Sequence, residues 1–205
     1  MKLESCISIK HSDSDPIHVT IRGNDVFIAA YVRFSGGTAD VWKRIAEGIE
    51  KAWSGQFMVF GMPIRLKTSV IYSGDGQDHL YAKSQKWATI KYQDKNCDSK
   101  DAYAVAYVNW FLSLPPSLMW STSNPGTMYL FSKDHNGKAI GSEGIKLIAA
   151  HEFGHWLGIG DAYDTKTGKE NPDITSIMNS HFIPVSPSDV EKMLSAFSQN
   201  KWQTW

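Results

Sequence analysis

Residues 151–161 read His-Glu-Phe-Gly-His-Trp-Leu-Gly-Ile-Gly-Asp, and this stretch decides how the rest of the chain is interpreted. His151 and His155 are four residues apart, so on a helix their imidazoles lie on one face and can bind one metal ion. Glu152 is one position further round the helix, where a general base for a metal-bound water is expected. The pattern predicts a metal-binding helix with a base beside the ion.

A turn after this helix can supply a third ligand. Gly158 can end the helix in a left-handed conformation and return the chain, which brings Asp161 toward the same ion. Three protein ligands leave the fourth zinc position open for water, as in catalytic rather than structural sites. Asp164, three residues further on, is a rival. A third ligand from further downstream, such as Glu170 or Glu191, is another alternative.

The predicted helix covers residues 142–157. Ser142 is a candidate N-cap, and Glu143 places negative charge in the first turn. At the helical period, five apolar residues gather on one broad side: Ile145, Ala149, Phe153, Trp156 and Leu157. We therefore expect the helix to bury that side and to present its histidine face to a cleft.

Composition restricts the partners. The chain has 205 residues, with 21 Lys+Arg and 21 Asp+Glu, so its formal net charge is zero. No basic excess is available to hold nucleic-acid phosphates or an anionic membrane surface. The length suits one domain, residues 1–205, with an N-terminal lobe over about 1–157 and a C-terminal lobe over about 158–205.

Targeting signals and cysteines say little about where the protein acts or whether it forms a disulfide. No apolar run has the length of a membrane span, and residues 1–10 lack the apolar core of a secretory signal. The chain is therefore a mature domain cut from a larger protein, a protein that leaves the cell by another route, or one that stays inside. We expect secretion or export by a non-classical route, no membrane insertion, and a monomer. Cys6 and Cys97 allow one disulfide, which the sequence leaves open.

The order of elements predicts an α+β domain with a mixed twisted sheet and helices packed on it. Strands are predicted where apolar and β-branched residues alternate, and helices where they recur at the helical period. The predicted strands are 17–22, 26–34, 57–72 with a break near Pro63, 80–92, 102–110 and 127–132. The further predicted helices run from Thr38 to about Trp53 and, as the C-terminal helix, over 188–197.

The chain resembles the metzincins, a clan of zinc endopeptidases. The resemblance consists of the extended motif over 151–161, the tetrapeptide Ser-Ile-Met-Asn at 176–179 where the clan has its Met-turn, and the coarse element order. Aspartate stands at 161 where most members carry histidine, and Asp-x-Tyr at 161–163 is similar to the snapalysin group. Ser180 stands where astacin-like members carry tyrosine, so a tyrosine switch from that loop is not expected.

The resemblance implies a metzincin-like zincin fold and a set of site residues. It implies His151, His155 and Asp161 as zinc ligands, Glu152 as catalytic base, and Met178 beneath the metal. It also implies that residues 182–185 form the outer wall of the pocket for the residue after the scissile bond, with Phe182 and Ile183 touching substrate. Tyr163 or His181 would give an additional hydrogen bond to the oxyanion.

The expected function is a zinc endopeptidase that holds one catalytic Zn²⁺ and hydrolyses protein or peptide substrates by a zinc-bound water activated by Glu152. The substrate would lie extended beside an edge strand, for which residues 126–132 are the candidate. Residues 132–137 have a faint calcium-loop pattern but lack the spaced carboxylates, so a plain turn is expected. Two alternatives stay open: an effector protease domain of a larger secreted system, and a non-catalytic zinc-binding module.

Overall fold

The sheet begins with a hairpin that the sequence predicts. Ile17, Val19 and Ile21 point into the core, while the residues between them face outward. The strand turns at Gly23, whose φ of 65° is a left-handed value that glycine adopts without strain. Arg22 then pairs with Asp25 at the start of the antiparallel partner strand. The predicted strands 17–22 and 26–34 are thus confirmed.

The computed structural model describes residues 2–9, 12–73, 85–97, 104–107 and 120–205. A short 3-10 helix, Leu3–Ser5, precedes the sheet. The strands in these ranges are β1 Ile17–Arg22, β2 Asp25–Ser35, β3 Gly55–Val59, β4 Met62–Tyr72, β5 Ala88–Asn96, β6 Ala104–Tyr107 and β7 Thr127–Lys133. The helices are α1 Ala39–Ala52, α2 Ser142–Trp156 and α3 Pro187–Gln199.

The strands form one mixed sheet in the order β3-β4-β2-β5-β7-β6. β2 is parallel to β4 and β5, and β5 is parallel to β7, whereas β1, β3 and β6 pair antiparallel with their neighbours. β1 pairs with the first half of β2 on the side where β5 takes the second half. The predicted α+β fold class is therefore confirmed.

Two strand predictions need correction, and of a third, 102–110, only residues 104–107 lie in the described part of the chain, where they form β6. The interruption in 57–72 falls at Phe60 and Gly61, a tight turn with positive φ at both residues, and not at Pro63. β5 begins at Ala88; residues 85–87 are not strand, and residues 80–84 lie outside the described part of the chain.

Residues 126–132 are not the sheet edge. β7 pairs with β5 on one side and with β6 on the other, so β6 is the outermost strand of the described residues there. β6 also lies alongside α2. A substrate that adds a strand near α2 would therefore meet β6.

α1 and α2 cross closely enough that a Cβ added at Gly48 would stand 2.6 Å from the Lys146 backbone. The fully buried ring of Trp53 packs edge-on against Phe153 and donates its Nε1–H to the Ala150 carbonyl at 2.8 Å. These contacts fix the side of α2 that faces away from the histidines.

The expected exposure and capping of α2 are corrected. His151 and Glu152 are only 7% and 6% exposed, so the histidine face is more deeply covered than expected. Gly141, not Ser142, is the N-cap residue, and no side chain caps this end. Polar side chains on a buried face need partners in the fold, and these partners build the site.

Cys6 and Cys97 form no disulfide with each other; Cys6 is exposed and Cys97 is buried. Within the described residues, no helix has both the length and the apolar character needed to cross a bilayer.

Candidate metal centre

The end of α2 returns the chain toward the histidines. Gly158 has a φ of 82°, and its amide donates to His155 O at 3.0 Å while the Ile159 amide donates to Gly154 O at 3.1 Å. This pair of bonds is a Schellman motif, which requires a left-handed residue at Gly158. The reversed chain carries Asp161 back under the helix face that holds the histidines.

Three ligand atoms converge at this point. Asp161 Oδ1 lies 3.4 Å from His151 Nε2 and 3.3 Å from His155 Nε2. Zinc bonds of about 2.0–2.1 Å at a tetrahedral angle separate neighbouring ligand atoms by about 3.3 Å. The three residues form the one group of potential metal ligands found among the described residues. The side chains therefore fit a tetrahedral zinc ion with a fourth corner left over.

Backbone carbonyls set the tautomer of both histidines. His151 Nδ1 lies 2.6 Å from Ile177 O, and His155 Nδ1 lies 2.8 Å from Ile159 O. A carbonyl only accepts, so each Nδ1 must carry a hydrogen and donate it. Each neutral imidazole then directs its Nε2 lone pair at Asp161, as a metal ligand requires.

Charged neighbours and burial shift the pKa values of His155 and Asp161. Burial lowers the pKa of His155, but the Asp161 carboxylate, the Glu152 charge and the Ile159 carbonyl together raise it to about 9. Burial raises the pKa of Asp161, yet the two histidines hold it well below its usual range. Without metal, a proton on His155 neutralises the carboxylate, so a metal ion must displace that proton.

Glu152 lies beside this group without belonging to it. It is buried, and its negative charge raises the pKa values of both His155 and Tyr163. Its carboxylate is therefore close to the place where His155 and Asp161 meet. A carboxylate beside the ligands is available to accept a proton from a molecule bound at the open corner.

The Met-turn lies directly beneath α2. Met178 is fully buried, and a Cβ added at Gly154 would stand 2.2 Å from its Sδ. Only glycine at position 154 lets the thioether approach the helix backbone this closely. The turn is thereby pressed against the helix between the two histidines.

A buried carboxylate on α3 holds the Met-turn. Asp189 Oδ1 accepts from Ser176 Oγ at 2.5 Å, and Oδ2 accepts from the Ser186 amide and hydroxyl at 2.7 and 2.8 Å and from the Ile177 amide at 3.4 Å. Ser186 and Asp189 form the capping box of α3. Since Ile177 O orients His151, the start of α3 positions a ligand.

Tyr163 and His181 both interact with His151. The Tyr163 ring stacks on the His151 ring at 6.2 Å, and burial together with the charges of Asp161 and Glu152 raises the pKa of its hydroxyl. Burial and the nearby His151 lower the pKa of half-buried His181 to about 4. At neutral pH Tyr163 is a hydroxyl donor and His181 is uncharged.

Phe182 and Ile183 follow the Met-turn along a groove of about 390 Å³. Leu147 and Ala150 on α2 form one wall, and residues 182–185 form the other. Phe182 is 74% exposed at its mouth. Ile177 lines this groove and also orients His151 through its carbonyl, so it links the groove to the ligand group.

The rival ligands are engaged elsewhere. Asp164 is exposed, and its Oδ1 accepts the Lys166 amide at 2.8 Å within a turn. Glu191 Oε1 accepts the Phe60 amide at 2.7 Å, and Glu170 is exposed outside the ligand group.

The faint calcium pattern is a turn. Asp134 Oδ1 accepts the amides of Asn136 and Lys138, both at 2.9 Å. An Asx turn of this kind uses the carboxylate within the backbone.

Sequence reasoning missed the groups that orient the ligands. The carbonyls of Ile159 and Ile177 carry no sequence signature, and neither does Trp202, whose ring stacks on His155 at 5.9 Å with an interplanar angle of 12°. The Ser-x-x-Asp pattern at 186–189 is a visible capping box, and it could have pointed to Asp189.

Comparison with known proteins agrees with this site. Residues 136–202, less than half of the chain, match the family described as "Immune inhibitor A peptidase M6, catalytic domain". No match was found in sequence among curated proteins.

Two solved structures of myroilysin show limited similarity. Each is 13% identical; one comparison covers 99% of this chain and 77% of the other at a TM-score of 0.37, and the second covers 85% and 82% at 0.32. The family match spans α2, Asp161 and the Met-turn, and it identifies the chain as a metallopeptidase, a hydrolase that cleaves peptide bonds with a bound metal.

Proposed function

We propose that this metallopeptidase is a zinc endopeptidase of the metzincin type, similar in its third ligand to the snapalysin group. His151, His155 and Asp161 hold one zinc ion, and Glu152 is the general base. The observation that supports this most directly is the spacing of 3.4 and 3.3 Å between Asp161 Oδ1 and the two Nε2 atoms. That spacing is the ligand separation of a tetrahedral zinc site.

The chemistry divides between the metal and the protein. When bound, zinc supplies Lewis-acid polarisation of a peptide carbonyl and lowers the pKa of a coordinated water. Glu152 accepts the proton of the attacking water and passes it to the leaving nitrogen. Tyr163, kept protonated by its raised pKa, donates a hydrogen bond toward the charge that develops on the carbonyl oxygen.

The substrate lies between α2 and the outer strand of the sheet. Its backbone pairs with the edge of β6 that has no partner strand among the described residues, and β6 runs alongside α2. The side chain after the scissile bond enters the groove between Leu147 and Ile183. Because most of the residues that line this groove are apolar, with Lys51, Glu143 and Lys146 as the charged ones, we expect a preference for a long apolar residue there.

The third ligand is tested by a matched pair of substitutions. Asp161→Asn removes the anionic ligand, whereas Asp164→Asn makes the same change three residues away in an exposed turn. We expect the first to weaken zinc binding by more than about 100-fold, since even changes outside the ligand set cost about 10–100-fold. The second should leave affinity unchanged. Zinc affinity is measured by chelator competition, and equal affinities in the two variants would contradict the ligand assignment.

The role of Glu152 is tested by Glu152→Gln. This variant keeps the shape of the side chain but cannot accept the proton, so it should bind one zinc per chain and cleave nothing. Cleavage of a denatured peptide library by the wild type, with a chelator control, gives the reference and the residue preference. Cleavage by the variant at the wild-type rate would refute the mechanism. Zinc binding without any cleavage by the wild type would favour a non-catalytic zinc module.

A further inference from the structure

The residues after α3 turn back toward the metal loop. Asn200 ends the helix with a left-handed φ of 51°, and the Lys201 amide donates to Ala196 O at 3.1 Å. Asn200 Oδ1 also accepts the Thr122 amide at 3.1 Å, which holds the reversal in place. We call the following segment, residues 201–205, the strap.

The strap pairs with the loop that carries the third ligand. Gln203 O accepts the Gly160 amide, and Gln203 N donates to Gly158 O, both at 2.8 Å. The two bonds bracket Ile159, whose carbonyl orients His155. One strap residue therefore fixes the backbone on both sides of a group that sets the direction of a ligand.

A strap side chain also contacts the ligand itself. The Trp202 ring lies 5.9 Å from the His155 ring and nearly parallel to it, at 12°. The same side chain also lies against the loop, because a Cβ added at Gly160 would stand 2.9 Å from Trp202 Nε1. The indole thus fills the space between the imidazole and the loop, and it leaves His155 little freedom to rotate.

The far end of the strap is fastened to α3. Lys192 Nζ donates to Thr204 O at 2.5 Å and lies 4.5 Å from the centre of the Trp205 ring. Lys192 is only partly buried, but its helix is anchored in the core by the fully buried Met193 and Leu194 that follow it. The strap is held at both ends, with Trp202 and Gln203 between them.

We propose that the strap positions the metal site, with Trp202 as the positioning residue that holds His155 in the orientation zinc requires. The inference rests on the proposed zinc site and adds a determinant that its motif does not contain. A ligand held in its bound orientation loses less conformational freedom when the ion arrives, so affinity increases. Changes to groups that orient metal ligands typically alter affinity by about 10–100-fold.

The test compares Trp202→Leu with Trp202→Phe. Leucine keeps the apolar bulk without a ring, whereas phenylalanine keeps a ring that can stack. We expect Trp202→Leu to weaken zinc binding at least about tenfold and Trp202→Phe to stay within about threefold of the wild type. Affinity is measured by chelator competition, and the visible spectrum of bound Co²⁺ reports any change in coordination geometry.

Trp42→Leu is the matched control. Trp42 is another half-buried tryptophan in a parallel stack, 5.5 Å from Phe34 on the α1 side of the sheet. Its loss should destabilise the fold without changing zinc affinity or the Co²⁺ spectrum. An equal loss of affinity in Trp42→Leu and Trp202→Leu would mean that stability, not positioning, is responsible, and would overturn the inference.

Lys192→Met gives a decision that does not depend on Trp202. It releases the far end of the strap while keeping a long apolar stem, so we expect weaker zinc binding with little change in unfolding temperature. Wild-type affinity in Lys192→Met would overturn the role of the strap, and wild-type affinity in Trp202→Leu would overturn the role of Trp202. Failure of the wild type itself to bind zinc would instead refute the proposed function.

Discussion

The two histidines of the site are held by two segments that differ in construction. His151 is oriented by Ile177 in the Met-turn, which a fully buried carboxylate, Asp189, ties to the start of α3. His155 is oriented by Ile159, which the half-exposed strap holds through backbone hydrogen bonds and a stacked ring. One ligand thus depends on the core, and the other depends on a surface segment.

This difference separates stability from metal affinity. A change in the buried network should unfold the protein before it alters the site, because buried donors left without partners cost free energy directly. A change at the loop and strap should loosen the site while the sheet and helices remain. The following predictions test this division.

The largest effect is expected for Asp189→Ala. This change leaves the Ser176 and Ser186 donors without their acceptor and removes half of a capping box, at a cost of about 3 kcal/mol in the free energy of unfolding. Glu191→Ala, two residues along the same helix, removes a single hydrogen bond to an exposed backbone amide and should cost less than about 1 kcal/mol. Urea unfolding of the metal-free proteins measures both. Similar losses of unfolding free energy in the two variants would show that the buried network stabilises the fold no more than one exposed hydrogen bond does.

Gly158→Ala should have the next largest effect on the free energy of unfolding. A Cβ there would lie 2.7 Å from the Trp120 ring and 2.8 Å from Ala196, at a left-handed φ, so we expect a loss of about 2–3 kcal/mol together with weaker zinc binding. Gly168→Ala has a similar φ of 68° but open space around it, and should cost about 1 kcal/mol. If thermal unfolding gives equal losses, the close approach at Gly158 is unimportant.

Zinc binding should depend on pH through His155. In the metal-free protein its pKa is raised to about 9, so below that pH a proton occupies the atom that zinc needs. Apparent affinity should therefore rise with pH and level off near pH 9, by about tenfold or 1.4 kcal/mol per unit below it. Calorimetry in buffers of different ionisation enthalpy should show about one proton released per zinc at pH 7. Affinity that is flat between pH 6 and 8 would contradict the raised pKa.

The residues of this site differ in whether a short stretch of sequence is enough to predict them. His151, His155 and Asp161 are brought together by helix periodicity and by one glycine-terminated turn, so an eleven-residue motif was enough to predict the cluster. The orienting groups lie far away in sequence. Ile177 acts on His151 through a chain reversal, and Trp202 acts on His155 across a whole helix, and neither has a periodic or compositional signal.

The fold shows the same division. Alternating apolar residues predict the β1–β2 hairpin, and helical periodicity with capping residues predicts α1 and α3. The position of a strand within the sheet is not predicted by such local patterns. Residues 126–132 were predicted as an edge because they read as a short apolar strand next to the site. β7 pairs with β6 because of tertiary contacts, and the sequence of β7 alone does not encode this pairing.

The smallest effect concerns the start of α2. Ser142 is a reasonable N-cap by residue type, but the cap position is Gly141 and no side-chain hydrogen bond is made. Ser142→Ala should therefore change the free energy of unfolding by less than about 0.5 kcal/mol. Thr38→Ala should cost about 1 kcal/mol, because Thr38 accepts the Val41 amide at the start of α1. A loss at Ser142 as large as that at Thr38 would restore the sequence-based assignment.

The contact between Met178 and Gly154 has a consequence for oxidative damage. A sulfoxide oxygen on Met178 would need room where the structure cannot accept even a methyl group, 2.2 Å from the sulfur. Met58, by contrast, is 56% exposed and is the most accessible methionine of the described residues. Peroxide should therefore modify Met58 in the native protein, while a sulfoxide at Met178 would record that the molecule had opened.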